Sequence, residues 1–153
     1  MTPQEWKAFT RGLTETQAAG LTVYGEARNQ SVSGLQAVLS VIRNRVASGR
    51  WGQTWNDIVF APKQFSCWNE GDPNREMLLQ LGTDMLSHTK HLNPILDVCL
   101  WLADKMVKQE YPSNVADATH YFAPSVVDMP NWAKAPAIRR TIIGAHAFYS
   151  NVR

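Results

Sequence analysis

The apolar positions of the chain fall into two long helical patterns. Leu35, Val38, Leu39, Ile42 and Val46 recur at the spacing of one helix face, Ser33 offers a start, and Gly49 is a natural terminator. A second row, Ala37, Val41 and Asn44, marks another covered side, with Gln36, Ser40, Arg43 and Arg50 as the wet face. The pattern predicts a central helix packed on two sides, in which Asn44 ties helices together. Asn93-Pro94 opens the other pattern, with Asn as cap and Pro in the first turn. There Ile95, Val98, Cys99, Leu102 and Met106 form one apolar row, and Leu96, Leu100, Ala103 and Val107 form a second. Cys99 is therefore expected to be an inert core thiol.

Thr14 and Gln17 have capping-box spacing and start what reads as the first helix, running to about Arg28. Weaker helical signals cover Thr54 to Phe60 and Arg75 to Ser87. The end of the chain changes character. Ala118 to Ala123 and Thr141 to Tyr149 are rich in aromatic and β-branched residues, with Pro124, Pro130 and Pro136 between them. They read as two short strands or extended segments. The expected architecture is mainly α, an α+β domain of several helices with a small β element.

At 153 residues the chain fits one domain over residues 1–153. A hydrophobic share of 44% against 18% charged residues excludes a disordered or fibrous chain. The longest uninterrupted apolar run, Val98 to Ala103, is far short of the roughly 20 residues that cross a bilayer, so no membrane insertion is expected. Met1 to Trp6 lacks a basic stretch followed by an apolar one, which predicts synthesis in the cytoplasm without a signal peptide. The net charge of +2 comes from scattered residues, with only Arg139 and Arg140 adjacent. That argues against a nucleic-acid partner, which calls for a dense basic stripe. It suits loose attraction to an anionic wall. Two cysteines, Cys67 and Cys99, are too few for a disulfide scaffold. Six tryptophans are the unusual feature, because an indole at the surface suits stacking on sugar rings.

Among the carboxylates Glu26 is set apart. On a helix ending near Arg28 it shares a side with Ala19, Val23 and Ala27, and it follows Tyr24 and the bare backbone of Gly25. Glycine inside a helix costs about 1 kcal/mol relative to alanine, which is tolerated where another segment must approach closely. An acid in such a semi-dry place holds its proton to higher pH and can give it to a leaving group. The residues alone leave a second reading open, in which Glu26 pairs with an arginine on an exposed last turn. His88, His91, His120 and His146 lack zinc-hydrolase spacing, no phosphate-binding glycine loop is present, and no serine sits in a Gly-x-Ser-x-Gly elbow. No metal and no cofactor are expected.

In order along the chain come Tyr24-Gly25-Glu26-Ala27-Arg28, then Gly34, Val38 and Val41-Ile42-x-Asn44-Arg45-Val46, then Ile58-Val59-Phe60-x-Pro62-x-Gln64-Phe65-Ser66. Ala118 to Pro124, Trp132 and Ile143-Gly144-x-His146-x-Phe148 close the series. This series resembles the cell-wall hydrolase family of the bacterial spore cortex-lytic enzymes and related phage endolysins, over about residues 20–149. The stretch from Cys67 to about Leu92 lies outside the resemblance and reads as a variable insertion.

The resemblance implies a lysozyme-like domain that cuts the glycan strands of peptidoglycan, acts on the cell wall as a monomer, and uses Glu26 as its acid. It favours an endolysin-like role over a spore role. Most glycosidases need two carboxylates. Asp57, Asp117 and Asp128 are candidates for a second, yet none stands in a pattern, which favours a lytic transglycosylase that needs only one. Gln64 and Ser66 are expected to hydrogen-bond the sugar, Tyr24 and Tyr121 to flank the cleavage site, and Trp132 beside His120 to line the substrate. The alternatives are a hydrolytic muramidase with a second acid, a zinc amidase or peptidase using the histidines, and a non-catalytic wall-binding module built on the tryptophans.

Overall fold

A computed structural model describes all residues, 1–153. Six helices precede a three-stranded antiparallel sheet, which packs chiefly against the third of them. α1 (Pro3–Gly12) and α2 (Glu15–Ala27) each begin with a complete capping box, Thr2 with Glu5 and Thr14 with Gln17. α3 (Val32–Ser48) is capped by Ser31 and stopped by Gly49 in the left-handed conformation. α4 (Trp55–Val59), α5 (Arg75–Leu86) and α6 (Pro94–Val107) follow, the last capped by Asn93 with Pro94 in its first turn. The chain ends in β1 (His120–Phe122), β2 (Ile138–Ile143) and β3 (His146–Ser150), with β3 central.

α2 is the axis of the helical body. Every residue from Ala18 to Gly25 is buried. Gly20 lets the backbone of α6 come close, since a Cβ there would stand 3.2 Å from the Leu100 Cα. α3 is covered on two sides, as its pattern requires. Leu35, Val38, Leu39 and Ile42 join the helical core, whereas Ala37 and Val41 pack with Phe148, Val115 and Ala118 from the sheet side. The opposite sheet face carries Phe122, Ala147 and Tyr149 with Ala133 and Val152, as the alternation of a strand dictates. Asn44 ties α3 to the approach to β1 rather than to another helix: its Nδ2 donates to the carbonyls of Ala116 and Ala118, at 3.0 and 2.8 Å.

Several expectations need correction. α1 is a helix ahead of the one read as first. Ser40 is fully buried, donating to the Gln36 carbonyl one turn back, so it is not on a wet face. Ile95 and Val98 are exposed, while Leu96, Cys99, Leu102, Ala103 and Met106 face the core. The stretch from Thr141 to Tyr149 is two strands, because Gly144 takes a left-handed turn that folds β2 back onto β3. Apart from these corrections, the segment read as an insertion contributes to the core: Cys67, Trp68, Leu78 and Leu79 are buried there, Gly82 of α5 receives the ring of Phe9, and residues 87–92 are exposed.

Candidate active site

Glu26 is the penultimate residue of α2, partly exposed on a helix whose neighbouring positions are all dry. A short 3-10 turn, Ser66–Trp68, lies across that end of the helix. Two contacts hold the turn there. The Trp68 indole Nε1 donates to Thr22 Oγ1 at 3.0 Å, and the Cys67 side chain sits over Gly25, where a Cβ would stand 2.9 Å from Cys67 Cβ. Leu78 of α5 closes on the same glycine. The bare backbone of Gly25 is thus explained by close approach.

This packing brings the Cys67 backbone N–H to Glu26, donating to Oε1 at 3.4 Å. Burial raises the Glu26 carboxyl above its ordinary pKa, opposed by the Cys67 donors and reinforced by the negative charge of Asp72. The Cys67 thiol is itself pushed up by burial and by Glu26, so it is neither nucleophile nor thiolate at neutral pH. Cys99 is buried and pushed up to about 12, the inert thiol its position predicts.

From the sheet side, Tyr121 stands where Glu26, Cys67 and Arg45 all act on its phenol, which burial holds well above its usual range. Arg45 joins these parts. From α3 its Nε donates to the Thr119 carbonyl at 2.6 Å and its Nη1 to Gln64 Oε1 at 2.7 Å, with its guanidinium over the rings of Trp51 and Phe65. Gln64 therefore has one end of its amide held and the rest exposed, and Ser66 is exposed two residues on.

The remaining expected residues divide. His120 stacks edge-on to Trp51 and lies 5.0 Å from the Trp132 ring centre, on the face of β1 opposite Tyr121. Trp132 also packs on Phe122 and Tyr149, so much of it serves the sheet core. Tyr24 is not brought to the carboxyl. It lies two residues before Glu26 and so on another side of α2, buried, with Asn93 donating to its hydroxyl at 3.2 Å and Arg28 over its ring. No group of three or more His, Cys, Asp or Glu residues comes together as a metal site. Sequence reasoning missed Arg45 as a connector, although it lay inside a quoted motif, and missed Asp72 and the Cys67 N–H, whose approach depends on the folding of a separate segment.

A central helix ending in one half-buried acid, faced by a turn and a small sheet, is the arrangement of a lysozyme-like domain. Residues 29–149 match the model of the Cell Wall Hydrolase family, so the chain belongs to that family. Glu26 stands three residues ahead of the matched segment. Two solved structures have the same fold. One is the catalytic domain of the Bacillus cereus SleB protein, with 22% identity, a TM-score of 0.62, and coverage of 89% of each chain. The other is the catalytic domain of the germination-specific lytic transglycosylase SleB from Bacillus anthracis, with 23% identity, a TM-score of 0.60, and coverage of 89% of this chain and 93% of that one. No curated protein matches the sequence.

Proposed function

We propose that this cell wall hydrolase is a lytic transglycosylase acting on the glycan strands of peptidoglycan, with Glu26 as its single acid and base. The observation that carries the reading is the seat of Glu26: a carboxyl raised by burial, with the three aspartates read from the sequence all engaged or remote. Asp57 accepts the N–H groups of Gln53 and Thr54 at the start of α4. Asp117 pairs with Arg140, and Asp128 lies in the exposed loop between β1 and β2. One protonated carboxyl suffices when the substrate brings its own nucleophile. Glu26 gives its proton to the oxygen between N-acetylmuramic acid and N-acetylglucosamine, and the C1–O bond breaks. The resulting carboxylate takes the proton of the muramoyl C6 hydroxyl, whose oxygen bonds to C1 and closes a 1,6-anhydro ring. Glu26 ends protonated again. In this reading Ser66, in the turn across the end of α2, and Gln64, two residues before it, offer exposed polar atoms to the sugar, and Tyr121 acts from the sheet side.

Glu26→Gln is expected to slow the clearing of purified peptidoglycan by about 10²–10⁴-fold, the usual contribution of a general acid. A folded variant clearing wall at near wild-type rate would falsify the assignment. Mass spectrometry of the wild-type digest reads the chemistry, and anhydro-muramoyl ends are expected. A second reading rests on Asp72, the carboxylate whose charge reaches Glu26. If Asp72 activates a water, the products carry reducing ends and Asp72→Asn abolishes activity. Anhydro ends with an active Asp72→Asn reject that route.

A further inference from the structure

Beside Trp51, whose ring also meets the Arg45 guanidinium, lies a cavity of about 650 Å³, lined among others by Arg50, Trp51, Asp117, Thr119 and Arg153. Its key feature is Arg50. The guanidinium lies 4.5 Å from the centre of the Trp51 ring and donates through Nη1 to the Val152 carbonyl at 3.0 Å. A stacked guanidinium with one anchored N–H loses little further entropy on meeting a ligand, and its remaining donors keep the planar geometry that fits an oxyanion. No carboxylate of the chain pairs with it. The one acidic side chain lining the cavity, Asp117, is engaged by Arg140 at 3.1 Å. Positive potential in this corner also reaches His120, whose pKa is lowered first by burial and then by Arg45 and Arg50.

The geometry points to a binding site here for a single carboxylate, that of a peptide stem carried by the glycan strand; this rests on the reading of the substrate given above. Two observations support that class of ligand. The cavity is joined to the acid by an unbroken series of contacts: Arg50 stacks on Trp51, Arg45 stacks on the other end of the series and holds Gln64, and Gln64 leads through Phe65 into the turn that meets Glu26. On this proposal the peptide stem lies at the Arg50 end of this series and the scissile bond at the Glu26 end. A polyanion is disfavoured, because it needs a run of cations, and here one free fork and Arg153 share the space with Asp117. A lone carboxylate needs only the fork.

The test uses Glu26→Gln as a non-cleaving background and measures co-sedimentation with insoluble wall and affinity electrophoresis with soluble strands. Probes are intact wall, wall freed of phosphate polymers by acid extraction, and glycan strands stripped of peptide by an amidase. Adding Arg50→Gln is expected to weaken binding to the first two about tenfold, as loss of a charge-assisted hydrogen bond does. Binding to peptide-free strands is expected to stay unchanged. Arg50→Lys, which keeps the charge and loses the fork, should behave like Arg50→Gln. Equal binding by the Arg50→Gln variant on intact wall overturns the proposal, as does a loss that persists on peptide-free strands or disappears once the phosphate polymers are removed. Retained wall-clearing by Glu26→Gln, by contrast, would sink the catalytic reading, and the Arg50 comparison is then read by brief co-sedimentation on ice, before the wall dissolves.

Discussion

Glu26 is held between opposed influences, and their balance fixes what it contributes to the fold at each pH. Burial and the charge of Asp72 favour its neutral form, whereas the Cys67 donors favour the anion, and burial is the largest. A carboxyl raised on folding contributes stability that is complete below the unfolded value of about 4.5 and is lost as pH rises through the folded value. At pH 7 the raised pKa therefore costs the native state stability, up to about 1.4 kcal/mol for each pKa unit of the shift. Glu26→Gln is isosteric and uncharged, so it is expected to unfold at a higher temperature at pH 7, by about 2–4 °C for each kcal/mol relieved. The difference should vanish as the pH is lowered toward 4. Thermal scans of the two proteins at pH 4 and pH 7 measure it, and a variant less stable than wild type at pH 7 contradicts the account. The same substitution that removes activity should thus raise stability, which separates an active-site cost from a folding defect.

At the scale of elements, the site depends on α2 and the 66–68 turn meeting without a gap, and Gly25 makes that possible. A methyl there would stand 2.6 Å from Leu78 Cδ1 and 2.9 Å from Cys67 Cβ. Gly25→Ala gains about 1 kcal/mol in helix propensity but overpacks a tight contact, which typically costs about 1–3 kcal/mol. We expect a net loss of about 1 kcal/mol in denaturant unfolding. Activity should fall further than that stability loss explains, because the turn that donates to Glu26 is what must move. Unchanged stability with unchanged activity would show that the contact is slack. Gly25 and its neighbour were legible in the sequence, since a glycine before an acid on an apolar strip already asks for a close partner. The partner was not, because Cys67 and Leu78 arrive from a segment with no pattern linking it to α2. The helix boundaries were legible wherever caps spoke. α1 had the same cap signal, Thr2-Pro3-x-Glu5 with Trp6 and Phe9 behind it; its few apolar positions hid it. α6 shows the opposite difficulty. It is apolar nearly all round, so periodicity could not say which side is wet, and Ile95 and Val98 were placed inward.

The whole molecule joins two parts with opposite responses to acid. In the helical body Glu26 gains from protonation as pH falls. In the sheet His120 and His146 are held neutral, both pushed down chiefly by burial, with His120 lowered to about 4 and further opposed by Arg45 and Arg50. A histidine lowered on folding leaves stability untouched above its unfolded value near 6.5. The native state then weakens as pH falls from 6.5 toward 4, because the unfolded chain takes up the proton first. Allowing for solvent around a half-exposed ring, the His120 contribution at pH 4 is about 1–2 kcal/mol. The sheet is attached to the body chiefly along one helix and its ends, by Asn44 and Arg45 to the approach of β1, Phe148 to α3, Arg50 to the Val152 carbonyl and Gln30 to the Ala145 N–H, so the loss should be local. Amide hydrogen exchange, corrected for intrinsic rates, is expected to show β1 and β3 opening more readily at pH 4.5 than at pH 7, while α2 stays protected. His120→Gln should flatten that response without changing protection at pH 7 by more than the loss of its stacking on Trp51 and Trp132. Uniform loosening of α2 and the sheet together would mean that the two parts unfold as one unit. Because the charge of Glu26 is felt at the Tyr121 phenol on β1, a sheet that opens in acid also changes the surroundings of the carboxyl, so activity should decline on the acid side before the helical body unfolds.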